Sequence, residues 1–126
     1  MKTTSLNKVI VPALLVFLLS FVSASAAERG VVRTQGRVDE LQLKKNTMVV
    51  NESKFVWDSN TLFYDEKGSP LLDKNGSPAK AEALKNKNWV YIVGVRQKDK
   101  PTLIQKLYVL PKHIDKSERH LYRFMQ

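Results

Sequence analysis

Two histidines, His113 and His120, are the side chains of this chain most suited to metal chemistry, and the sequence contains no cysteine. They stand seven residues apart, so they could share one face of a helix. Asp115 and Glu118 are the only carboxylates between them. Zinc sites usually combine three or four His, Cys or carboxylate ligands. The pair is therefore a weak signal for a metal- or heme-linked role, and we predict neither a metal site nor a cofactor.

Carboxylate pairs that could act as a general acid and base occur at Asp39-Glu40 and Asp65-Glu66. Adjacent residues of a strand point to opposite faces, so neither pair can act on one substrate atom. The phosphate-binding and nucleophile motifs G-x-x-x-x-G-K, G-x-G-x-x-G and G-x-S-x-G are absent from the sequence. The sequence therefore predicts that the protein is not an enzyme.

A near-repeat stands in the middle of the chain, where Asp65-Glu66-Lys67-Gly68-Ser69-Pro70 is echoed by Asp73-Lys74-Asn75-Gly76-Ser77-Pro78. Asp73 and Asn75 have the i, i+2 spacing of a calcium loop. However, position twelve of such a loop, normally Glu, would be Leu84. The pattern instead predicts two Asp-x-x-Gly turns with a positive φ at each glycine.

Aromatic side chains beside basic ones are the remaining candidates for binding, because open barrels use stacked rings to hold single strands and sugars. Large rings on the strands of a short chain are more often core, and this holds most strongly for Trp89 and Tyr91. The candidate surface set consists of aromatic and cationic residues: Arg37, Lys54, Trp57, Tyr64, Arg96, Lys106, Arg119 and Arg123.

The N-terminal segment 1–26 has the pattern of a secretory signal peptide. Lys2 and Lys8 precede the apolar run Val9–Val22, and Ala24-Ser25-Ala26 forms a small-x-small cleavage site. An uncleaved anchor is the alternative, but this run covers about 21 Å at 1.5 Å per residue. A membrane core is about 30 Å thick. We expect export to the periplasm or beyond in a bacterium, with no membrane-spanning helix after cleavage.

Residues 27–126 would carry 19 basic and 12 acidic side chains, a net charge of +7, because the removed segment holds two lysines and no acid. Lysines scattered at strand ends are typical of a soluble β surface with unpaired edges. Attraction to a polyanion is the alternative. Export argues against a cytoplasmic nucleic acid as the partner.

Six short strands are predicted, over residues 36–43, 48–50, 54–57, 61–64, 89–96 and 102–110. Trp89–Arg96 is apolar on both of its faces, so both should be covered, and Gly94 within it indicates close approach of a neighbour. A short helix is expected over 79–85, where Ser77 suits the N-cap and Pro78 the first helical position.

The C-terminal segment 112–126 is predicted to form a basic amphipathic helix. Asp115 and Glu118 have the spacing of a capping box, and Ile114, Leu121 and Met125 recur at helical intervals. Such a helix would pack on the barrel, or would dock on a partner or membrane surface.

These elements predict a mainly β fold, a small OB-like or Greek-key barrel of five to six antiparallel strands with one short helix and a C-terminal helix. The expected organisation is a signal peptide at 1–26, a polar lead-in at 27–35, the barrel at 36–111 and the tail at 112–126.

Four motifs carry a resemblance to small exported bacterial β-barrel domains of unknown function. They are Gly36-Arg37-Val38, Thr61-Leu62-Phe63, Trp89-Val90-Tyr91-Ile92-Val93-Gly94 and Leu107-Tyr108-Val109-Leu110. Some domains of this type are similar to accessory proteins encoded with pilus or envelope machinery. The resemblance covers about 75 residues, implies a barrel, and carries over no catalytic residue.

The leading hypothesis is therefore a non-enzymatic envelope accessory or adaptor protein that binds a protein partner through a barrel face or the tail. The alternative is a small barrel that binds a polyanion or polysaccharide through cationic side chains around exposed aromatic rings.

Overall fold

The computed structural model describes residues 30–126, and the predicted signal peptide lies outside them. The strands are β1 (Val31–Gln42), β2 (Thr47–Val50), β3 (Ser53–Val56), β4 (Leu62–Tyr64), β5 (Trp89–Gln97) and β6 (Lys100–Leu110). Of the predicted lead-in, residues 31–35 belong to β1. No helix within 30–126 has the length and apolar content needed to cross a membrane.

Five of the strands close into a barrel in the order β1-β2-β3-β6-β5, and β5 returns to β1. β1 pairs with both β2 and β5 because it is long: Val38 and Asp39 pair with β2, whereas 31–37 pair with β5. The mainly β, small-barrel prediction is confirmed, and the strand order fits an OB-like Greek-key barrel.

One long edge of β6 holds two strands in series, and both run parallel to it. Phe55 and Val56 of β3 pair with Thr102 and Leu103, and β4 then pairs with Lys106–Tyr108. Between these pairings the buried Thr61 donates its hydroxyl to the carbonyl of Ile104 at 2.5 Å. The expectation of antiparallel strands alone was therefore wrong, because closing the barrel brings distant segments together in parallel.

Two apolar clusters lie on the opposite faces of β5 and β6, as the continuous apolar sequence of β5 predicts. The interior cluster contains, among others, Val38, Met48, Phe55, Ile92 and Leu107. The outer cluster contains Tyr91, Val93, Tyr108, Leu110 and Ile114.

Gly94 lies where β5 approaches β6 closely. A Cβ at this position would lie 2.7 Å from the carbonyl oxygen of Leu103. The β5–β6 register shifts between Val93 and Gly94, so the close approach accompanies a bulge. The predicted role of this glycine is confirmed.

The two Asp-x-x-Gly segments form matching turns. Asp65 Oδ1 accepts hydrogen bonds from the amides of Lys67 and Ser69, at 2.9 and 3.0 Å. In the second turn Asp73 Oδ1 accepts the equivalent bonds from the amides of Asn75 and Ser77, at 2.8 and 3.0 Å. Gly68 and Gly76 both have φ of +80°. Each aspartate side chain therefore serves its own turn, as the sequence predicts.

Both predicted helices were wrong, because the structure has only short 3-10 turns there. Ala81–Ala83 forms one turn in place of the helix at 79–85. The tail contains two, at Lys116–Leu121 and Arg123–Met125. Asp115 makes no side-chain cap, and Glu118 instead pairs with Lys112 Nζ at 3.1 Å. Since no capping box forms, the backbone conformation of residues 112–126 depends on how they pack on the barrel.

Candidate functional site

An aromatic face, defined here by Tyr64, Trp89, Tyr91 and Tyr108, covers the outside of β4, β5 and β6. Tyr108 pairs in register with Tyr91 on one side and with Tyr64 on the other. Residues in register on neighbouring strands point to the same face of a sheet. The three tyrosines therefore form one row across three strands.

The tail, residues 112–126, lies on this aromatic face and adds its own rings. Phe124 stacks on Tyr108 with ring centroids 3.9 Å apart and planes 6° from parallel. Tyr64 stacks on the same tyrosine at 4.9 Å. Tyr122 contacts Phe124 edge-on at 5.9 Å. Aromatic pairs contribute about 0.5–1.5 kcal/mol beyond the area they bury, so the stack fixes the end of the tail.

Gln35 of β1 fastens the beginning of the tail. Its Nε2 donates to the carbonyl of Ile114 at 3.1 Å, and its Oε1 accepts from the amide of Ile114 at 2.6 Å. Ile114 is only 1% exposed. One side-chain amide thus satisfies both backbone groups of a buried residue, which holds the tail against β1.

The phenol of Tyr108 is the titratable group that this packing perturbs. Removal from water raises the pKa of Tyr108 above its usual 10.0, and the phenols of Tyr64 and Tyr91 raise it further. The charge of Arg33 acts in the opposite direction. Since a buried phenolate is disfavoured, the neutral form contributes to the stability of the folded chain.

We expect this phenol to give stability that is lost at high pH. The unfolded chain releases the proton near pH 10, and the folded chain releases it at a higher pH. Above about pH 10 the unfolded state therefore binds fewer protons, and the free energy of unfolding falls as pH rises. Below that pH the contribution is constant.

Urea unfolding of the wild type and Tyr108→Phe between about pH 8 and 11 measures this effect, because phenylalanine keeps the ring and has no proton to lose. The decline above pH 10 should be steeper in the wild type. Parallel curves would contradict the assignment.

A cleft of about 570 Å³ opens between the first Asp-x-x-Gly turn and the tail. We call it the tail–hairpin cleft. Its lining comprises Glu66, Lys67, Gly68, Tyr108, Leu121, Tyr122, Arg123 and Phe124. Leu121 is 67% exposed, the highest fraction among the exposed large apolar residues described. The helical pattern predicted Leu121 on the packed side, and the 3-10 turns direct it outward instead.

Five of the predicted surface residues lie on or around the aromatic face. Tyr64 belongs to it, and Arg37 lies over the ring of Trp89 with its Cζ 5.8 Å from the centroid. Lys106 is exposed on β6, in register with Val93 of the outer cluster. Arg119 and Arg123 are exposed on the tail.

Three predicted residues do not belong to this surface. Trp57 is 7% exposed and packs in the interior cluster, so its assignment to a binding surface is corrected. Lys54 is exposed on β3, in register with Val49 on another part of the barrel. Arg96 is exposed near the β5–β6 turn.

Arg33, Gln35 and Phe124 are residues of the site that the sequence analysis did not select. Arg33 and Gln35 lie within the segment interpreted as a polar lead-in. Arg33, Gln35 and Arg37 are spaced two residues apart. This is the alternation of a strand, and it could have identified the first two residues. Phe124 lies in the segment predicted to form a helix, and helical spacing does not reveal a stacking ring.

His113 packs edge-on against Trp89, with ring centroids 5.4 Å apart. Within residues 30–126 no group of three or more His, Asp or Glu side chains is arranged to hold a metal ion. The histidine near the aromatic face thus contributes a ring contact in this structure.

No protein-family model matches the chain, and no curated protein matches it. Solved structures with a similar fold include the fimbrial biogenesis protein PilY2 of Pseudomonas aeruginosa PAO1. It is 16% identical with a TM-score of 0.48, and the match covers 73% of this chain and 93% of that one. Another is CusF with Ag(I), 14% identical with a TM-score of 0.44, covering 64% of this chain and 97% of that one. At these identities no residue role passes from either protein to this chain.

Proposed function

We propose that this chain is an exported, non-enzymatic accessory protein of the bacterial envelope that binds a protein partner at the tail–hairpin cleft. The observation that carries the proposal is Leu121, which is 67% exposed beside the stacked rings of Tyr108 and Phe124. The N-terminal pattern of residues 1–26 supports export.

The composition of the cleft suits a protein partner. Its volume of about 570 Å³ lies within the range of about 300–1,000 Å³ usual for binding pockets. Tyr and Arg are enriched among the residues that dominate the energy of protein interfaces, and the cleft offers Tyr122 and Arg123 next to an exposed leucine. The Tyr108–Phe124 stack gives these side chains a fixed support, so little ordering is needed on binding.

Leu121→Ala should reduce partner capture at least about fivefold, since truncating an interface anchor costs more than about 1 kcal/mol. A tagged copy at native expression is crosslinked in living cells, and the captured material is identified by mass spectrometry. Leu72→Ala is the matched control, because Leu72 is also exposed, at 55%, and lies outside the cleft. Both variants should unfold like the wild type.

Equal capture by Leu121→Ala and the wild type would remove the cleft from the proposal. Loss of capture in both leucine variants would show that the effect is not local to the cleft. One dominant protein that only Leu121→Ala fails to capture is the supporting result.

Polyanion binding is the second candidate, and the unpaired cations around the aromatic face favour it. Within residues 30–126, Lys112–Glu118 is the single ion pair, so Arg37, Lys106 and Arg123 have no carboxylate partner there. Captured material that is sensitive to nuclease or polymer-degrading enzymes would support this candidate. Its binding should fall steeply with salt, because each neutralised phosphate releases counterions.

A further inference from the structure

A separate pocket of about 230 Å³ lies between β1 and the tail. It is lined by Arg33, Thr34, Gln35, Tyr91, Arg119 and Met125. Arg33 comes from β1 and Arg119 from the tail, so the pocket joins the two parts that Gln35 already links through Ile114. This pocket shares no lining residue with the tail–hairpin cleft.

The charges of this pocket are unbalanced. Two arginines are among its lining residues, and no acidic residue is. Neither arginine forms an ion pair with another residue of the described chain. Glu118, the acid next to Arg119 in the sequence, is already bonded to Lys112. Two positive charges on residues that line one pocket repel each other. A bound anion would be attracted to both charges.

The size and the donors of the pocket fit one phosphate group. A volume of about 230 Å³ is smaller than the roughly 300–1,000 Å³ of sites for whole small molecules. Guanidinium groups bind phosphate oxygens in a fork geometry. A phosphate monoester carries about −1.5 to −2 charges at pH 7 and thus balances two arginines, whereas a carboxylate balances one.

Tyr108 supplies a supporting observation. The positive charge of Arg33 lowers the pKa of Tyr108, which places that charge within electrostatic range of the stacked rings.

We propose that Arg33 and Arg119 form a binding site for one phosphate group, and that phosphate bound there fastens the tail to β1. The group is supplied either as free phosphate or as the headgroup of an acidic phospholipid. The site does not depend on the proposed protein partner, because it uses a different pocket.

Titration with inorganic phosphate, followed by NMR on the chain as the cell processes it, tests the site at constant ionic strength. Saturable one-to-one shifts are expected at the amides of residues 33–35 and 117–125. Arg33→Gln and Arg119→Gln should each weaken binding about tenfold or more, since hydrogen bonds to charged groups contribute about 1.5–3 kcal/mol. Arg96→Gln is the control, because Arg96 is exposed outside this pocket.

Three results would overturn the proposal: no saturation, equal loss in Arg96→Gln, or shifts confined to other parts of the barrel. Because both pocket arginines are exposed and form no ion pair within the described residues, the thermal midpoints of the variants should match the wild type without phosphate. A lowered midpoint together with lost binding would assign the loss to folding and would also count against the site.

Vesicles of phosphatidylcholine with and without phosphatidic acid distinguish the two sources of phosphate. Binding to the acidic vesicles that Arg33→Gln and Arg119→Gln abolish would identify the headgroup. Saturable binding of inorganic phosphate without vesicle binding would identify free phosphate. Binding to neither would overturn the proposal.

Discussion

Leu107→Ala should lower the free energy of unfolding by about 2–5 kcal/mol, the range for deleting a fully buried leucine side chain. Leu107 is 0% exposed in the interior cluster, on the strand that three other strands contact. The loss combines the transfer free energy of the three deleted carbon atoms with the cost of the cavity left inside the barrel. Urea unfolding followed by tryptophan fluorescence measures it.

Leu72→Ala is the matched control for this substitution, since it removes the same atoms from a side chain that is 55% exposed. Exposed substitutions usually change stability by less than about 0.5 kcal/mol. If Leu72→Ala and Leu107→Ala were equally destabilised, the interior would not be closed around β6 as the structure has it.

Gln35→Ala should release the tail while leaving the barrel folded. It leaves the amide and carbonyl of Ile114 without partners, and each unsatisfied buried group costs about 1–3 kcal/mol. Hydrogen exchange of the Ile114 amide should become at least about tenfold faster, because about 1.4 kcal/mol of lost protection corresponds to a factor of ten. Exchange within β2 and β5 should change little.

Two further variants separate the role of Gln35 from a general effect of its strand. Gln35→Glu keeps the acceptor for the Ile114 amide and loses the donor, so its exchange rate should lie between those of the wild type and Gln35→Ala. Gln42→Ala changes an exposed glutamine of β1 and should behave as the wild type. Unchanged Ile114 exchange in Gln35→Ala would show that stacking of Phe124 alone holds the tail.

The local pattern of residues predicted the strands well, and it failed where contacts between distant segments decide the structure. Alternation and apolar runs located β2, β3, β5 and β6 to within a few residues. The start of β1 was missed because Val31–Gln35 contains three polar residues. These polar residues form a strand because β5 pairs with them in register. That pairing depends on a distant segment, so the sequence of 31–35 alone does not reveal it.

In the candidate site, too, local patterns predicted some features, and contacts between distant segments determined the others. Arg37 and Lys106, which the sequence analysis selected, are exposed, and Tyr64 is half-buried. The stack of Phe124 on Tyr108 joins residues from a strand and from the tail, and helical periodicity predicted a different conformation for 114–125. Trp57 shows the reverse error, since a ring at the end of the predicted strand 54–57 was selected for the surface and is part of the interior.

The two parallel strands on β6 have a consequence for the order in which the chain can fold. β1, β2 and β3 follow one another closely, so their pairing requires only short loops to close. β3 and β4 both pair with residues 102–108, which come much later in the chain. Contacts between distant segments are slow to form. We therefore expect barrel closure to be a late step of folding, and until β6 pairs with them, the edges of β3 and β4 that it covers stay open.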